Sequence, residues 1–135
     1  AGDLVLVDDD TPVVLVSSGI GSTPMVGMLS HLAATGSGRR ATYLHADDSE
    51  AAHAQLGQTT ALLERLPEVT VAHSYRSNGE LVDVASHDIA GSDVYLCGGT
   101  EFLQAIRRDL AALPSDKAPK SVHYELFSPN DWLLG

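Results

Sequence analysis

Two glycine turns lie far apart in this chain, and their flanks match. Val13-Val14-Leu15-Val16-Ser17-Ser18-Gly19-Ile20-Gly21-Ser22-Thr23-Pro24 reads as strand, turn and helix start, and so does Tyr95-Leu96-Cys97-Gly98-Gly99-Thr100-Glu101-Phe102. A turn without side chains lets a diphosphate reach backbone N–H groups, and the positive end of the helix that follows favours its charge. Gly21 has no side chain to block such a group, and Thr23 offers a hydroxyl beside it. The second turn presents the only thiol of the chain, Cys97, with Gly98 and Gly99 leaving room for a planar ring. No His or Asp partner for this thiol is evident in sequence, so packing on a ring and orienting it suits Cys97 better than attack. A diphosphate cradle facing a ring-binding turn suggests a nicotinamide dinucleotide site. Each half has a plainer reading too. Gly19-x-Gly21 lacks the third glycine of the dinucleotide fingerprint and could be a simple tight turn. A free cysteine at a strand end is often a buried, inert hydrophobe.

The elements around the turns predict an α/β fold. Residues 13–17 form a continuous β-branched run, as in a strand buried on both faces. Thr23 is expected to cap a helix with Pro24 at its first position, Met25, Met28, Leu29 and Leu32 on its apolar face, and Gly36 at its end. Residues 41–46 read as a second strand. Ser49 can cap a helix with Ala52, Leu56, Leu62, Leu63 and Leu66 on its apolar face, stopped by Pro67. Residues 69–73 form a third strand, Asn78-Gly79 a turn, and 81–85 a short helix. Residues 93–97 form a fourth strand, followed by a helix capped by Thr100 that carries Phe102, Leu103, Ile106 and Leu110. Residues 122–126 form a fifth. Strands alternating with helices predict a doubly wound, parallel five-stranded sheet with right-handed crossovers. In the order 3-2-1-4-5, strands one and four are neighbours, and their C-terminal ends form the crevice where ligands bind. Both glycine turns fall at those two ends.

Composition narrows the function. The 135 residues suit one domain, and a hydrophobic share of 44% allows a packed core. The apolar runs are too short for a membrane span. A net charge of −10 argues against nucleic acid and against an anionic membrane surface. The lone cysteine allows no internal disulfide and fits a reducing, cytoplasmic setting. Six histidines are scattered without metal-ligand spacing, so no metal site is expected. The first residue is Ala, and residues 1–10 read as the end of, or a linker from, a preceding domain, with 11–135 as the nucleotide-binding domain.

Four blocks together resemble one family. They are Gly2-Asp3-Leu4; Gly19-Ile20-Gly21-Ser22-Thr23-Pro24 with Met25; Tyr95-Leu96-Cys97-Gly98-Gly99 with Phe102; and His123-Tyr124-Glu125-Leu126-Phe127 with Pro129. In this order, over essentially the whole chain, they resemble the C-terminal NAD(P)-binding domain of the ferredoxin–NADP reductase superfamily, and within it the flavohaemoglobins. The resemblance implies a ferredoxin reductase-like NAD-binding domain that binds NAD(P)H, beside a β-barrel domain that binds FAD. Hydride would pass from the nicotinamide to the flavin. In flavohaemoglobins a haem globin then takes the electrons and converts nitric oxide to nitrate. The resemblance also implies that Gly19 to Pro24 bind the nucleotide and that Cys97 and Gly98 line the nicotinamide pocket. Leu126, Phe127, Ser128 and Pro129 would reach back to the flavin, with Phe127 beside its ring and Glu125 tuning it. Ser128 stands where flavohaemoglobins usually carry Gly, and Gly99 where they usually carry Pro. A two-domain reductase serving a ferredoxin or iron–sulfur protein, or a non-catalytic nucleotide-binding module, are the alternatives.

The choice of nucleotide rests on three residues. Asp47, after the second strand, could accept a hydrogen bond from a ribose 2′-OH and repel a 2′-phosphate, which favours NADH. Ser74 and Arg76, after the third, resemble contacts to the 2′-phosphate of NADPH. A methyltransferase would want a denser glycine turn, and a phosphoacceptor domain would want paired aspartates at strand ends. Asp8, Asp9 and Asp10 precede the first strand and so lie at the wrong end of the sheet.

Overall fold

Val13, Val14, Leu15 and Val16 are all buried, the mark of a strand covered on both faces. The strand is β1 (Val13–Ser18) in a computed structural model that describes residues 4–126. It is followed by α1 (Ser22–Ala34), β2 (Ala41–Asp47), α2 (Leu56–Leu63), β3 (Val69–Tyr75), β4 (Asp93–Gly98), α3 (Thr100–Ala111) and β5 (Ser121–Leu126). The five strands form one sheet in the order β3-β2-β1-β4-β5, and every neighbouring pair is parallel. The order and the placing of β1 beside β4 match the sequence-based expectation.

Alternating side chains divide the core between the two faces of the sheet. Val13, Leu15, Tyr43, Tyr95 and Cys97 pack with Met25, Met28, Leu29 and Leu32 of α1 and Leu62 and Leu63 of α2. Val14, Val16, Leu44, Val94 and Leu96 pack with Leu103, Ile106 and Leu110 of α3 and with Val84 and Ile89. Residues 4–10 form no regular element, yet they are fastened to the domain. Leu6 is buried, Val7 N–H donates to Tyr95 Oη at 2.9 Å, and Arg39 donates to the carbonyls of Val7 and Thr11 at 2.6 Å each. Among the described residues no helix is long and apolar enough to cross a membrane.

The local differences have physical reasons. Thr23 and Thr100 are not caps. α1 opens two residues earlier, at Ser22, out of a 3-10 turn over Gly19–Gly21, and α3 opens at Thr100 itself with Gly99 before it; neither start has a side-chain cap. Pro24 still falls within the first turn, where backbone N–H groups have no helical partner. α2 begins at Leu56 rather than near Ser49, because His53 turns into the core and Gln55 takes φ 65°, a left-handed conformation that interrupts a helix. Ser49 caps only a turn, by accepting from Ala52 N–H at 3.2 Å, and Ala52 is exposed. The expected helix over 81–85 shrinks to a single 3-10 turn over Val84–Ser86. Gly36 ends α1 as expected, at φ 64°, while Ser37 N–H bonds back to Leu32.

Candidate functional site

The two glycine bends touch. A Cβ on Gly21 would land on the carbonyl oxygen of Cys97, 2.7 Å from its carbonyl carbon and 3.1 Å from Gly98 N. A Cβ on Gly98 would meet Ser18 Oγ and lie 2.7 Å from the Phe102 ring. Backbone therefore meets backbone where β1 and β4 end. β4 leaves Gly21 no room for a side chain, so a larger residue there disturbs the fold as well as any ligand. Gly19 and Gly99 differ, since neither has an atom within 4 Å of an added Cβ. Gly19 sits at φ 53° and aims the turn; Gly99 borders open space in an ordinary extended conformation.

Beyond the bends the hydroxyls are unequal. Ser22 is buried and donates to Gln55 Oε1 at 2.6 Å, so its hydroxyl is committed inside the protein. Thr23 is exposed, 3.5 Å from the same oxygen. Ile20 and Pro24 are half-buried.

A cleft of about 450 Å³ opens over the C-terminal ends of β1, β2 and β3 and along α3. Gly19, Asp47, Ser74 and Arg76 line it, so the structure gathers four residues named from sequence into one concavity. Ser18 and Phe102 lie between them and the second bend. Arg76 is exposed and stands 3.7 Å from Asp48 across the rim. The three residues read as rival signals for the nucleotide therefore share one wall.

Cys97 does not open into this cleft. Its side chain is fully buried on the α1 face, and burial first, then the charge of Glu125, push the thiol up to about 12. A thiol so placed stays protonated and unreactive at neutral pH. Glu125 is its register partner on β5, half-buried, with Leu126 half-exposed at the strand end. Phe127, Ser128 and Pro129 lie outside the described residues, as do Gly2 and Asp3.

Sequence reasoning missed what lies beneath Asp47. Ser17 Oγ is 2.7 Å from His45 Nδ1, and His45 Nε2 is 3.1 Å from Asp47 Oδ2. The order Ser, His, Asp is that of a nucleophilic triad, but Ser17 and His45 are both 0% exposed, so no substrate reaches the hydroxyl. His53 stacks on His45 with ring centroids 4.1 Å apart, meets His73 edge-on at 5.0 Å, and shares a 2.8 Å hydrogen bond with Tyr75 Oη. Burial lowers the pKa of all three imidazoles, that of His53 to about 4. Among the described residues no group of side chains could hold a metal ion. Polar residues at period two, His45 and Asp47 at the end of an otherwise apolar strand, were the available sign.

No family model matches the chain. A flavohemoprotein from Bordetella pertussis is 38% identical over 143 residues, which cover 93% of this chain and 35% of the relative. The chain thus spans about a third of the length of the curated relatives it matches. Among solved structures, the FAD/NAD-binding domain of nitric oxide dioxygenase from Vibrio cholerae superposes with TM-score 0.79 at 34% identity, covering 96% of this chain and 56% of that one. The flavohemoglobin of Malassezia yamatoensis, with bound FAD and heme, gives TM-score 0.79 at 28% identity, covering 90% and 33%. Ferredoxin-NADP+ reductase from Plasmodium falciparum shares the fold alone, at TM-score 0.64 and 15% identity over 87% of this chain and 52% of that one.

Proposed function

We propose, for a chain homologous to the FAD/NAD-binding part of the flavohemoproteins and built on the ferredoxin-reductase-like fold, that it binds NAD(P)H across its two glycine bends for hydride transfer to FAD held by a further domain. The whole protein would carry those electrons on to a haem globin that oxidises nitric oxide to nitrate. An FAD-binding barrel and a globin are its proposed partner domains, the cytoplasm its proposed setting, and the isolated chain is expected to be inactive. One observation carries the reading. Gly21 lies against the backbone of Cys97 and Gly98, so the two bends meet, and the cleft opens beside them at Ser18 and Gly19.

The residues fit such a coenzyme. Gly19 and Gly99 leave open space at the bends, and α1 points its N-terminus at the first of them. Backbone N–H groups of the Gly19–Gly21 turn and the Thr23 hydroxyl would hold the diphosphate, since the Ser22 hydroxyl is already taken. Asp47, Ser74 and Arg76 would meet the adenosine ribose, and Asp47 tips the choice to NADH. Gly98 and Gly99 would face the nicotinamide, which supplies the hydride when bound. Cys97 fills the core beneath the bend and contributes no thiolate. Glu125, Leu126, Phe127, Ser128 and Pro129 would address the flavin side.

Calorimetric titration of the chain with NADH should give saturable binding. Gly99→Leu sends a side chain into open space and should weaken that binding at least about tenfold, at a folding cost under about 1 kcal/mol for the changed helix cap. Absence of binding, or an affinity indifferent to Gly99→Leu, would remove the assignment.

A further inference from the structure

The proposed reading leaves one buried set of groups unused, and it ends on the residue that tips the choice of nucleotide. Ser17, His45 and Asp47 form a continuous chain of side-chain hydrogen bonds from the middle of the sheet to the cleft wall. The direction of this chain follows from donor and acceptor capacity. A carboxylate only accepts, so His45 Nε2 must carry the hydrogen it gives to Asp47. Burial keeps the imidazole neutral, against the pull of Asp47, so Nδ1 is bare and accepts the Ser17 O–H. Asp47 Oδ1 also accepts from the N–H of Asp48 at 3.0 Å. Two of the roughly four acceptor positions of the carboxylate are thereby used, and others remain. The side chain of Asp47 is 10% exposed and that of His45 is 0%, so the anchor is hidden and only the carboxylate edge meets the cleft. His53 stacked on His45 holds the ring plane.

We infer that Ser17 and His45 are positioning residues for nucleotide choice: they fix the Asp47 carboxylate so that its open acceptor positions meet a ribose diol and oppose a 2′-phosphate. This rests on the reading that the cleft takes the adenosine ribose. A loosely held carboxylate could turn toward Arg76, which stands 3.7 Å from the neighbouring Asp48. A held one cannot, and discrimination depends on that difference between the two nucleotides.

The test measures dissociation constants of the full chain for NADH and NADPH. Ser17→Ala and His45→Gln should each weaken NADH about fivefold, the loss of one buried hydrogen bond, with NADPH changed less than about twofold. Asp47→Asn should shift the same ratio further. A purely structural role would weaken both nucleotides together and leave the ratio alone. If Asp47→Asn shifts the ratio and the other two variants do not, the relay is wrong and the ribose reading stands. If Asp47→Asn leaves the ratio unchanged, the ribose reading itself fails and the relay with it. Nitrogen-15 NMR of the unaltered protein needs no variant to fold: His45 must be the Nε2–H tautomer, and an Nδ1–H tautomer overturns the inference.

Discussion

Gly21 and Gly99 belong to the two bends that meet where β1 and β4 end, and they are glycine for different reasons. Gly99 leaves a space that a ligand could use, whereas Gly21 fills a place where β4 leaves no volume for even a methyl group. Valine at position 21 must push apart two backbones that cannot rotate out of the way, so Gly21→Val should destabilise the chain by about 3 kcal/mol. Urea denaturation reads this directly, and an unchanged midpoint would show that the β4 end can yield. Sequence marked both glycines as turn residues, since a glycine between strand and helix is visible in one dimension. Which of them is crowded depends on a segment far along the chain. Cys97 follows the same logic. Its place at a strand end was legible, but the face to which its sulfur points was fixed by the register of β4 against β1 and β5.

At the scale of elements, the strands were easier to read than the helix starts. Continuous apolar runs locate buried strands because both faces must be dry. The start of α2 was misplaced because His53 is drawn inward by its stack on His45, a contact between β2 and the loop after it. Arg39, just before β2, is another case. Its side chain is 4% exposed, bonded to the carbonyls of Val7 and Thr11, 3.2 Å from Asp9 and 3.6 Å from Asp93, whose side chain is 5% exposed. This one guanidinium pins residues 7–11 to the N-terminal end of the sheet, opposite the cleft. Arg39→Met should cost about 3 kcal/mol, because it strands the Asp93 carboxylate in the interior. Adding Asp93→Asn should recover part of the loss; thermal unfolding of the single and double variants measures both.

Over the whole molecule, the buried imidazoles tie stability to pH. His53 titrates at about 4 in the fold against 6.5 in an unfolded chain, chiefly through burial, then through His45 and His73, with Asp47 opposing. The unfolded state therefore takes up its proton first. The contribution is complete above about 6.5 and is lost as pH falls toward about 4, an effect of up to ~3 kcal/mol from this group. His45 and His73 shift in the same direction. The urea midpoint should drop between pH 7 and pH 4.5, and His53→Gln should flatten that slope; equal slopes would refute the account. The sequence by itself determined the parallel sheet, its strand order, the end of the sheet at which both glycine turns fall, and the family likeness. These rest on periodicity, turn chemistry and short motifs, all local properties of a chain. Only tertiary structure decided that Gly21 is a packing glycine, that Cys97 points into the core, that three of the six histidines share one cluster, and that Asp47 stands on His45 and Ser17. Each depends on which strand lies beside which and in what register, and hydrogen bonds and excluded volume between distant segments have no signature in either segment alone.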